Sequence, residues 1–223
     1  MLTPRDEAAL DTLIQRARDD VRAYHDGLGP MPGATRSAHV LIPTGVIGRD
    51  LPRILDEIAG PIGAAAALYR LGRRIGQADA AAFFARAGAD EGESLYRLLA
   101  GPFHFARAGY GDVEVLVLDV PFDTDFAVLW ESERSFSAAD AAATDGRRVR
   151  ACHVQAGYAA GWCREATGLP IDAREMACRA EGVRRCRFLL SHADKLEARL
   201  AEPRFHRAVA EYPRSGPRLV AGT

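Results

Sequence analysis

Four cysteines fall between Cys152 and Cys186, and the preceding 151 residues hold none. Cys178 and Cys186 lie on either side of Glu181-Gly182, a turn signal between two short strand-like runs. A hairpin there would bring their sulfurs together. Glu175 stands one short step earlier, and Cys152 opens a helical stretch. Three thiolates and a carboxylate form an acceptable tetrahedral set for one zinc ion. The competing reading is that these are ordinary buried cysteines, which pack as small hydrophobes, since the paired C-x-x-C signature is missing. Glu175 and Cys178 are three residues apart, so a regular strand would point them to opposite faces, and a bulge or a strand start at Glu175 is required. Cys163 is excluded: on a helix over residues 151–167 it lies about 16 Å along the axis from Cys152, at ~1.5 Å per residue. His153, beside the first ligand, is a rival fourth ligand.

The series Cys152, Gly157-Tyr158-Ala159-Ala160-Gly161-Trp162, Arg174-Glu175-Met176-Ala177-Cys178 and Gly182 followed by Cys186-Arg187-Phe188 resembles the 4-vinyl reductase-like domain family. That family includes the amino-terminal sensor domain of activators of phenol, toluene and xylene catabolism. The resemblance is specific over residues 150–190 and looser over 38–149. It implies a structural zinc held by Cys152, Glu175, Cys178 and Cys186, with no coordination position left open for chemistry.

A second constellation is aromatic. His104 and Trp130 fall on separate strand candidates, in a set with Phe103, Phe126, Tyr158 and Trp162. An imidazole and an indole N–H can both hydrogen-bond a phenolic oxygen while aromatic walls exclude water. The competing reading is core filler around an ordinary histidine. In the sensors that the chain resembles, a His and a Trp hold the phenol hydroxyl, and His104 and Trp130 lie in comparable places.

Several elements must position these groups. Residues 4–26 read as an amphipathic helix with the stripe Leu10, Leu13, Ile14, Ala17 and Val21. The loop at 27–33 sets it apart, so it packs either on its own domain or on a second copy. A strand is expected at 39–43. A helix follows at about 50–59, and after the break at Gly60-Pro61 comes a longer one rich in alanine and glycine, whose small residues suit a central position. A short helix is expected at 93–99, then strands at 103–106, 113–118 and 126–130, with one face of the sheet buried. Residues 137–145 read as a helix or a surface turn. In the helix 151–167, Gly157 and Gly161 suggest close packing against the sheet, because each costs about 1 kcal/mol relative to alanine. Strands near 171–179 and 184–190, a helix at 193–201 and a mobile tail beyond Pro213 complete the chain.

The expected fold is therefore α/β, an antiparallel sheet flanked by helices with a zinc-stapled C-terminal hairpin. Residues 1–36 form a helix and linker for dimerisation, residues 37–200 the ligand-binding domain, and residues 201–223 a tail. A length of 223 residues, 48% hydrophobic and 26% charged, suits a globular chain with a substantial core. A net charge of −1 gives no argument for nucleic-acid binding. The start is not a signal peptide, no run reaches the ~18 apolar residues of a membrane span, and thiol ligands suit the reduced cytoplasm. The chain has no G-x-S-x-G elbow, P-loop or H-E-x-x-H, which weighs against an enzyme. The first expectation is a zinc-containing sensor or ligand-binding protein for a small aromatic compound. With no motor or DNA-binding domain after it, it would act through a homodimer or a protein partner. The alternatives that the resemblance implies are a 4-vinyl reductase or accessory factor of bacteriochlorophyll synthesis binding a tetrapyrrole, and a non-catalytic scaffold.

Overall fold

The computed structural model describes residues 4–27, 42–144, 150–207 and 220–221. Helix α1 spans Pro4–Asp26. A π-helical turn, Val46–Asp50, leads into α2, Leu51–Ala87. Helix α3 is Ser94–Arg107. Strands β1 (Val113–Asp119) and β2 (Ala127–Ser132) form a hairpin. Helices α4 (Phe136–Thr144) and α5 (His153–Thr167) come next. A second hairpin follows, β3 (Ile171–Ala177) and β4 (Cys186–His192). Short helices α6 (Leu196–Leu200) and α7 (Pro203–Arg207) close it off, and β5 is Val220–Ala221. The sheet is antiparallel, in the order β3-β4-β2-β1-β5.

The expected α/β class and helix-flanked antiparallel sheet are what the chain forms. Gly60 adopts φ 69°, ψ 170° and kinks α2 ahead of Pro61. That is the expected break, but the helix beyond it runs on to Ala87. Residues 103–106 correct the sequence reading: they are helical, so Phe103 and His104 lie on α3 and not on a strand. Gly101-Pro102 looked like a terminator and the alternating aromatics after it like a strand. Burial of Phe103, His104 and Phe105 together holds the helix through the proline. Of the strand expected at 39–43, only Ile42 and Pro43 are described, and neither is extended into a sheet. The rest of it lies outside the described residues, as do most of the 27–33 loop and most of the segment after Pro213.

The glycine pair of α5 also differs from expectation, facing α2 and not the sheet. A Cβ on Gly157 would stand 2.0 Å from the Tyr69 carbonyl oxygen, and one on Gly161 2.1 Å from that of Arg73. Gly72 and Gly76 of α2 meet the carbonyls of Val154 and Tyr158 in return, each at 2.1 Å from where a Cβ would be. Two glycine stripes thus let α2 and α5 touch backbone to backbone, which makes α2 the central helix that its small residues suggested.

Helix α1 packs on α3 of its own chain. Ile14, Ala17, Val21 and Tyr24 are buried in the main core, with Leu10 and Leu13 at its edge. The stripe that motivated a homodimer is thus used within the chain. The sheet is buried on both faces where one was expected, and every residue of β2 is buried. Helices cover one face. On the other, Leu196 of α6 and Phe205 of α7 close a second small core over Leu116, Leu129 and Leu189.

Candidate metal centre and ligand cavity

The β3–β4 hairpin carries most of the metal cluster. A register shift between Glu175 and Ala177 supplies the bulge that the spacing required, so Glu175 and Cys178 turn to the same side. Beyond it, the 3-10 turn Arg179–Glu181 ends at Gly182 in the left-handed region (φ 96°). Cys186 thereby returns beneath Cys178. Cys152 enters from the start of α5, where its N–H donates to Glu175 Oε2 at 3.2 Å. One ligand atom from each of Cys152, Glu175, Cys178 and Cys186 lies within 4.8 Å of the others, and all four residues are buried. His153 and Cys163 are not part of this group.

This geometry fits one ion. Zinc–sulfur bonds of ~2.3 Å at tetrahedral angles put sulfurs about 3.8 Å apart, and Cys152 Sγ stands 3.9 Å from Cys178 Sγ and 3.6 Å from Cys186 Sγ. All four cysteines are free thiols. Glu175 Oε1 is buried without a hydrogen-bond partner among the described residues, which costs stability unless a cation fills that place. Burial, and then the charge of Cys178, pushes the Glu175 carboxyl up to about 9. Hydrogen bonds from Cys152 and Cys178 pull the Cys186 thiol down, and bonding to Cys178 and Cys186 raises Cys152. By itself the protein therefore holds these acids largely protonated. A divalent cation is what would let all four ionise together.

A cavity of about 50 Å³ lies between α3, α5 and the inner face of the sheet. That is more than the ~10–15 Å³ a single water needs, but its walls are apolar. Leu98, Leu99 and Phe105 come from α3, Val128 and Trp130 from β2, and Tyr158 and Trp162 from α5. Three of the six residues expected to bind a ligand line it: Trp130, Tyr158 and Trp162. Phe103, His104 and Phe126 are buried outside the lining. His104 instead serves the wall from behind. Its Nδ1 lies 2.9 Å from Tyr158 Oη, which donates to Asp79 at 3.0 Å. The Trp162 indole is also engaged, donating to the Arg97 carbonyl at 2.8 Å. Trp130 stacks on Phe188 (4.2 Å, 17°), and its N–H makes no hydrogen bond among the described residues. Sequence reasoning missed the α3 residues Leu98, Leu99 and Phe105 because it placed this stretch partly on a strand.

Residues 134–192 match the 4-vinyl reductase-like domain family. Comparison with curated proteins gives no match. Among solved structures, the chain is similar to one described as the crystal structure of the phenol-responsive sensory domain of the transcription activator PoxR with phenol. The TM-score is 0.68 at 20% identity, covering 89% of this chain and 98% of that one. At that identity the likeness concerns the fold. The segment that builds the metal cluster, residues 134–192, is therefore a 4-vinyl reductase-like domain segment, set in the fold of that sensory domain.

Proposed function

We propose that the chain is a ligand-binding sensory module for a small, mostly apolar aromatic compound, stapled by a structural zinc at Cys152, Glu175, Cys178 and Cys186. It would act in the cytoplasm through a protein partner or a second copy. The observation that carries this reading is the apolar cavity, in which the Trp130 N–H is the ring donor on the lining with no hydrogen bond among the described residues. The fold shared with a domain described as phenol-responsive supports it. A single ring with at most one oxygen suits such walls, because each further polar atom would be buried unpaired. The volume also favours one ring over a tetrapyrrole macrocycle. His104 would act on the ligand only through Tyr158.

Titration calorimetry with phenol, cresols, toluene and ethylbenzene tests the reading. Binding of one or more is expected. Trp130→Phe keeps most of the ring and removes the donor, so phenols should lose roughly 1–3 kcal/mol, about one to two decades in affinity, while hydrocarbons change little. Equal losses for both would reduce Trp130 to a wall. No binding by any of them to the zinc-loaded protein would overturn the assignment.

A further inference from the structure

Ser135 follows the turn after β2. Asp112 Oδ1 fixes that turn by accepting from Ser132 Oγ and from the N–H groups of Glu133 and Arg134, at 2.9, 2.9 and 2.7 Å. Ser135 is 2% exposed, with Oγ 3.1 Å from Cys152 Sγ. A serine hydroxyl has one proton to give and two lone pairs to fill. Both lone pairs are taken: Gln155 Nε2 donates to Oγ at 3.2 Å, and the N–H of Ala138 reaches it at 3.5 Å. The proton is left to point at the Cys152 sulfur. The Gln155 amide is itself fixed, since Ser137 Oγ donates to Gln155 Oε1 at 3.0 Å. Ser137 and Gln155 are 2% and 1% exposed.

A buried relay of polar side chains is costly when it ends on an apolar group and favourable when it ends on a charge. This relay ends on a sulfur that becomes a thiolate once it ligates a metal. Three thiolates and a carboxylate carry more negative charge than one divalent ion cancels, so donors onto the ligand atoms are needed. Two are backbone groups: Arg179 N–H on Cys186 Sγ at 3.3 Å and Cys152 N–H on Glu175 Oε2 at 3.2 Å. We propose that Ser135 is a positioning residue of the metal centre. Its hydroxyl donates to the Cys152 thiolate, with Gln155 and Ser137 setting its direction, and it ties the start of α4 to the site. This inference rests on the metal reading above.

The test replaces zinc by cobalt(II) in the purified full chain and compares wild type with Ser135→Ala. A thiolate that loses a hydrogen bond becomes a better electron donor, so the sulfur-to-cobalt charge-transfer band should move to lower energy. Competition with a chromophoric chelator should show metal affinity falling roughly tenfold or more. If Ser135→Ala does not fold, Gln155→Leu decides. It leaves the hydroxyl but frees its direction, and the band should move the same way by less. A folded Ser135→Ala with unchanged band and affinity, even if less stable, would make Ser135 a helix cap only and overturn the proposal. So would an unmoved band in Gln155→Leu where Ser135→Ala cannot be obtained. A wild-type chain that takes up no cobalt would overturn the metal reading and this inference together.

Discussion

Replacing Gly157 by alanine would place a Cβ 2.0 Å from the Tyr69 carbonyl oxygen and 2.9 Å from the Arg73 nitrogen, both backbone atoms of α2. A Cβ tolerates about 3 Å at the least, so the two helices must separate by roughly 1 Å along a line where Gly72, Gly76 and Gly161 each leave a Cβ position 2.1 Å from a carbonyl. Overpacking a core costs ~1–3 kcal/mol, and a methyl driven into backbone, which cannot rotate away, belongs at the upper end. Alanine returns about 1 kcal/mol of helix propensity. The net loss is then about 2 kcal/mol, or a melting temperature lower by ~4–8 °C for a chain of this size. Urea and thermal unfolding of the metal-loaded protein, followed by circular dichroism, would measure it. Gly92→Ala is the control, since a Cβ there meets nothing within 4 Å. A Gly157→Ala variant within ~0.5 kcal/mol of wild type would refute backbone contact as the reason for these glycines.

Elemental analysis should find one zinc per chain. Cys178→Ala should lose the metal and much of the stability, because structural zinc binding contributes directly to folding free energy, whereas Cys163→Ala should keep the metal. Deleting residues 1–27 should destabilise the fold instead of only shifting its oligomeric state. It strips Ala17, Val21 and Tyr24 from the main core, at about 1.5–3 kcal/mol for each large side chain. A truncated protein as stable as the full chain would show that α1 is dispensable to the core.

How much of this was legible depended on whether the signal was local. Helix α1 has an acidic first turn and a clean apolar stripe, and it runs over the residues its pattern marks. The metal hairpin was legible for the same reason: Glu181-Gly182 turns the chain, and the three-residue step from Glu175 to Cys178 demanded the bulge that the strand has. The errors came where a distant neighbour decides. Pro102 breaks helices in isolation, but α3 continues through it because its aromatic residues are buried on several sides by α1, α5 and the sheet. The α5 glycines announced a close approach without saying to what, and the answer lay in Gly72 and Gly76, more than eighty residues earlier in the chain. His104 was placed facing a ligand because a period-two reading of 103–106 put it on the sheet. On a helix the same residue points at Tyr158.

The two sites are joined by α5. Its first residues adjoin the metal cluster through Cys152, its glycine face is locked onto α2, and Tyr158 and Trp162 on its other side form one wall of the cavity. An arriving ring needs more than the roughly 50 Å³ available, so some wall must yield. The α5 wall cannot move far, because displacing it would disturb the backbone contacts with α2 and the ligand set together. The sheet wall is backed by the second core around Leu129, Leu189 and Phe205. The remaining wall is α3, which meets Trp162 at Gly101, where even a methyl would sit 2.7 Å from the indole. On its far side α3 carries α1, joined to it by the Asp20–Tyr96 hydrogen bond (2.6 Å) and the Arg107–Asp26 pair (2.8 Å). The physical route from an occupied cavity to the surface therefore runs through α3 to α1, and the stapled α5 is the fixed side against which that movement is made.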